Sequence, residues 1–74
     1  MASKPPLIAR VGEALWGDRW QSQMAAANGL SVRSIARYAA GTRSPTPDLI
    51  GRLAVMLQHR RDELDDLARE IRAS

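Results

Sequence analysis

The chain predicts an all-α fold, a compact four- or five-helix bundle containing a helix-turn-helix, on three observations. Leu7, Ile8, Val11 and Leu15 recur at the three- and four-residue spacing of one helix face. The stretch Gln21 to Gly41, QSQMAAANGLSVRSIARYAAG, reads as two short helices joined by a glycine turn. No stretch reads as a strand, and no internal repeat is present.

Taken in order, residues 1–5 are expected to be a loose tail. Pro5-Pro6 supplies a proline suited to a first helical turn, so the first helix should run from about Pro6 to Trp16. Gly12 inside it costs about 1 kcal/mol relative to alanine unless something packs closely there. Gly17 closes that helix. Asp18-x-x-Gln21 has the form of a capping box for a second helix over about Arg19 to Ala27. Its alanines keep the profile slim, and Ala25 in particular allows a close crossing. Gly29 can adopt the left-handed conformation that ends a helix, with Leu30 tucked back under it. Ser31 is a cap for a third helix over about Val32 to Ala40, which buries Ile35 and Tyr38 and ends at Gly41.

Pro45 and Pro47 disfavour helix in the residues before them, so Thr42 to Thr46 should be a loop. Thr46 then caps a helical region over 47–73, with Pro47 at its first position. Leu49, Ile50, Leu53, Ala54, Met56 and Leu57 form a wide face suited to covering a core. Ile50, Leu53, Leu57, Leu64, Leu67 and Ile71 also fit a heptad with Arg60 in its one polar slot. A break or kink near Gln58 to Arg61 is the expectation. Trp16, Trp20, Met24, Tyr38 and Met56 are read as core, and His59 as solvated.

Seventy-four residues make one domain with a small core, a size at which oligomerisation often supplements stability. There are no cysteines and one histidine, so neither a disulfide framework nor a Cys/His metal site is expected. No apolar run reaches a membrane span and MASKPP lacks a secretory signal, which points to the cytoplasm. The charge is uneven. Residues 1–47 hold six basic residues against two acids, a balance of +4, while residues 48–74 stand at −1. No acid lies between Arg19 and Pro47. A basic block over the two short helices fits a polyanion such as DNA, whose major groove the second helix of such a motif reads.

Gln21, Met24, Ala25, Gly29, Leu30, Ser31, Ile35, Tyr38 and Gly41 together resemble the lambda-repressor-like (Cro/cI, or XRE-type) helix-turn-helix family. The segment WGDRWQSQMAAANGLSVRSIARYAAGTRSP is also similar to small helix-turn-helix regulators of proteobacteria and their phages. The likeness is specific over about Arg19 to Pro47. Asn28 departs from it, standing where the family usually has an apolar residue before the turn glycine.

The resemblance implies a bacterial or phage regulator, a transcriptional repressor that binds a pseudo-palindromic operator in double-stranded DNA as a homodimer. It implies base contacts from the exposed face of the third helix, with Val32, Arg33, Ser34 and Arg37 the candidates. Arginine forks to guanine are the commonest specific contact, and Arg33 and Arg37 stand one helical turn apart. Val32 could meet a thymine methyl. The implied backbone contacts include Gln21, matching a glutamine that clamps phosphate in the family, and Arg43, in a loop that follows the DNA backbone in relatives. Ser31, with the free N–H groups of the following turn, is an anion site by geometry. Arg19, Thr42 and Ser44 flank the motif. Leu64, Leu67 and Ile71 are the candidate dimer surface, with core closure over the first helix as the alternative.

The rival reading is a protein-interaction module, such as an antitoxin holding a partner through its C-terminal helix. A long exposed apolar C-terminal helix would favour it. No catalytic motif appears, so an enzyme is not expected. The acidic run Asp62, Glu63, Asp65, Asp66 reads as a solvated helix face with Asp65 paired to Arg69. No cofactor and no separate ligand-sensing domain are expected.

Overall fold

The computed structural model describes residues 5–74, and among them the chain is all-helical, with no strand. The expected tail over 1–5 lies almost wholly outside the described residues. The elements are α1 (Leu7–Trp16), a single 3₁₀ turn (Gly17–Arg19), α2 (Trp20–Asn28), α3 (Val32–Ala40) and α4 (Pro47–Ala73).

α1 begins immediately after Pro6, whose carbonyl accepts hydrogen bonds from the N–H groups of Ala9 and Arg10. Ile8, Ala9, Gly12 and Leu15 form its buried face. It touches α2, α3 and α4, so the core is assembled around it. That core joins Ile8, Ala9 and Leu15 to Trp20, Met24, Ala25, Ile35, Tyr38, Leu49 and Leu53. Met24 and Ile35 are completely enclosed. Trp16 and Met56 pack against its edge, half-buried.

Gly12 has the close neighbour its position requires. The Trp20 indole lies directly over it, and a Cβ there would overlap ring atoms Cδ2 and Cε3. The approach to α2 differs from the expected capping box. Gly17-Asp18-Arg19 winds as a 3₁₀ turn straight into α2, with the Trp20 N–H donating to the Gly17 carbonyl. The residue at the cap is Arg19, without a side-chain bond, and Asp18 lies inside the turn. Continuous tight winding leaves no extended residue for Asp18 to cap from, and it delivers Trp20 onto Gly12.

α2 ends at Gly29 in the left-handed conformation (φ 65°). The backbone of Leu30 turns back, its N–H donating to the Ala25 carbonyl at 2.9 Å. Its side chain does not tuck under as expected, being 37% exposed. Asn28 is the buried residue at this helix end. Its Nδ2 donates to the Met24 carbonyl at 2.9 Å, while Oδ1 has no protein partner. Ser31 and Thr46 cap α3 and α4, accepting from the N–H groups of Ser34 and Leu49.

α4 shows the largest difference from expectation. It is one unbroken helix with no interruption at Gln58 to Arg61. A polar stretch does not by itself break a helix. No glycine or proline occurs after Gly51, and the ion pairs Arg52–Asp48 (3.3 Å) and Arg69–Asp65 (2.9 Å) brace successive turns. Only Leu49 and Leu53 are buried in it, and every residue from Leu57 onward is exposed. The helix therefore projects past the body rather than closing over it. The radius of gyration is 14.3 Å, against about 11 Å for a compact chain of this length. The expected compact bundle is thus an elongated molecule, 47 × 34 × 21 Å.

Gly12→Ala tests the central contact. Helix propensity alone would stabilise the variant by about 1 kcal/mol, whereas a methyl forced against the indole should destabilise it by about 1–3 kcal/mol. Urea unfolding followed by tryptophan fluorescence should show the second effect.

Candidate functional site

Burying Ile35 and Tyr38 against α2 fixes which side of α3 faces outward. That side carries Val32, Arg33, Arg37 and Ala40, all exposed, with Ala36 half-buried at its edge. Arg33 and Arg37 stand four residues apart on it. Neither makes an ion pair among the described residues, and the same holds for Arg19 and Arg43. These four guanidinium groups come from the turn before α2, from α3 and from the loop after it.

The polar candidates divide into free and engaged groups. Ser31 caps α3 at 3.1 Å, and its hydroxyl also donates to the Ser34 hydroxyl at 3.1 Å. Ser34 is half-buried and turned toward that cap, which argues against the direct base contact expected of it. Any anion at this end of α3 would meet the backbone N–H groups of the first turn rather than the Ser31 hydroxyl. Thr42 is similarly engaged, its hydroxyl donating to the Arg37 carbonyl at 3.2 Å. Gln21 is half-buried at the start of α2, and Arg43 and Ser44 are exposed in the loop. Arg19 is exposed, its carbonyl accepting from the Ser22 hydroxyl at 3.2 Å.

The third set of candidates lies elsewhere. Leu64, Leu67 and Ile71 are 57%, 54% and 75% exposed on the projecting half of α4, so they do not close a core over α1. The acidic run around them is a solvated face, with Arg69 paired to Asp65 and Asp66 and Arg61 paired to Asp62. Nearer the body, an apolar groove of about 190 Å³ lies between α1 and α4, bounded by Leu7, Val11, Ile50 and Leu57. The spacing of apolar residues in α1 does not reveal the groove, because it assigns Leu7 to the core although it is 58% exposed. The heptad running through Ile50 and Leu57 was its one sequence signal.

No helix among the described residues is long and apolar enough to cross a membrane. No family model, no curated protein and no solved structure matches the chain.

Ser31→Ala removes the α3 cap and should destabilise the fold by about 1 kcal/mol. Thermal unfolding in the absence of any ligand measures this. The shift should persist in Ser31→Ala/Ser34→Ala, because the Ser31 hydroxyl is the one that accepts from the capped N–H.

Proposed function

We propose that the chain binds double-stranded DNA, with α2 and α3 acting as a helix-turn-helix and the exposed face of α3 entering the major groove. One observation carries the reading. Arg19, Arg33, Arg37 and Arg43 are exposed and make no ion pair among the described residues, and no acid lies between Arg19 and Pro47. Cations without internal partners on and beside a slim, alanine-rich helix suit a polyanionic groove. In this reading Arg33 and Arg37 fork to guanines, Val32 meets a thymine methyl, and Arg19, Gln21 and Arg43 hold phosphate. Ser44 and the first turn of α3 add further phosphate contacts. The resemblance to lambda-repressor-like regulators supports a repressor that occupies a pseudo-palindromic operator.

A second reading is supported by the exposure of Leu64, Leu67 and Ile71. A protein-interaction module such as an antitoxin would use that stripe to hold a partner, with or without DNA binding.

Salt-dependent titrations against the duplex upstream of the chain's own gene and a scrambled duplex separate these readings. The native duplex should bind at least a hundredfold tighter. Arg33→Ala should abolish most of that preference, a loss of about 1–3 kcal/mol for a bidentate base contact. Arg43→Ala should weaken both duplexes alike and reduce the salt slope by about one unit. Equal binding of both duplexes would leave only an electrostatic grip. No binding at physiological salt would overturn the DNA reading in favour of a protein partner.

A further inference from the structure

Asn28 is the single asparagine of the chain, and a glycine follows it. That pair is chemically labile wherever the backbone is free. The nitrogen of the following residue can attack the side-chain amide carbon, and a glycine there has no Cβ to hinder the approach. The fold blocks this reaction in three ways. Asn28 lies in the last turn of α2 and is only 7% exposed. The Gly29 N–H donates to the Ala25 carbonyl, so the attacking nitrogen is held along the helix rather than turned toward Cγ. Nδ2, which would have to leave as ammonia, donates to the Met24 carbonyl at 2.9 Å.

The same surroundings cannot accept the product. Oδ1 is already buried without a protein partner. An aspartate would lose the Nδ2 donor and set a second oxygen against the Met24 carbonyl, placing a buried charge at the negative end of a helix. An isoaspartate would lengthen the main chain by a carbon where the Gly29 and Leu30 N–H groups converge on the Ala25 carbonyl. Either product disfavours the turn between α2 and α3.

We infer that Asn28-Gly29 is a self-modification site gated by the fold: deamidation proceeds when the end of α2 opens and then prevents the turn from re-forming. In the opened chain the Gly29 nitrogen bonds to Cγ of Asn28. The Cγ–Nδ2 bond breaks, and the nitrogen's proton leaves with the amide as ammonia. Water then opens the resulting succinimide at either carbonyl, giving aspartate or isoaspartate. No metal or oxidant takes part. A ligand that binds only the folded chain slows the reaction by mass action, whatever its identity. The site therefore ties the working life of the chain to the time it spends folded.

The test compares wild-type protein incubated in neutral buffer with the same chain in denaturing guanidinium. The proteolytic peptide carrying residue 28 is followed by mass for exchange of –NH2 for –OH, and by chromatography for isoaspartate. The unfolded chain should convert, and the native protein should convert at least about tenfold more slowly, in proportion to its open fraction. In guanidinium, Gly29→Ala should react several-fold more slowly than wild type, because its methyl hinders the attack. The modified chain, returned to buffer, should unfold at a lower guanidinium midpoint than wild type or fail to regain its helical circular dichroism, and Asn28→Asp should unfold at a lower midpoint too. Equal rates in the native and unfolded chains would overturn gating by the fold. No conversion in guanidinium would overturn the site itself. A modified chain that regains wild-type stability would overturn the block on re-forming the turn.

Discussion

The seating of the Trp20 indole on Gly12 is the contact on which the rest of the body depends. α1 is the helix that touches all the others, and this contact sets how closely α2 can approach it. The bare backbone at Gly12 admits a ring where any side chain would hold it off. With α2 drawn in, Met24 and Ala25 meet Ile35 and Tyr38, and α3 takes its angle from that layer. Leu49 and Leu53 complete the core from α4. In so small a core, a shift of one helix at this contact propagates to every other helix.

The economy of that core explains the character of the surface. Ala25 is buried and Ala39 packs against the core, and small side chains there let helices approach while long ones face solvent. On α3 the outward long side chains are two arginines, and on α4 they are charged residues flanking leucines. The molecule thus separates two surfaces: a basic one formed around α3, and an acidic, partly apolar one along the α4 tip. The α3 face is held outward by Ile35 and Tyr38 buried opposite it, whereas the α4 tip is exposed on every side.

Much of this was legible from residue spacing. α3 was readable to its ends because Ser31 and Gly41 are strong local signals whose chemistry acts within one turn. Ile35 and Tyr38 followed from periodicity, and Thr46-Pro47 fixed the start of α4. What escaped depended on relations between segments. Asp18 has the right neighbours for a cap, yet the route of the chain from α1 to Trp20 leaves it no capping geometry. Asn28 is buried and Leu30 is 37% exposed, the reverse of what their polarity suggests. A break was expected near Gln58 to Arg61, but helix continuity is decided by backbone constraints, and no glycine or proline stands there. The arginines of α3 could be placed on the outer face from the sequence, whereas the engagement of Ser34 and Thr42 became apparent only from their hydrogen bonds.

The junction after α3 has a consequence for the thermodynamics of recognition. The Arg37 carbonyl accepts from the Gly41 N–H, from the Thr42 N–H at 3.1 Å and from the Thr42 hydroxyl at 3.2 Å. The loop carrying Arg43 is therefore fastened to the helix turn that carries Arg37. A ligand that grips both arginines finds them already set in relation to each other, so little rotational freedom of the loop is lost on association.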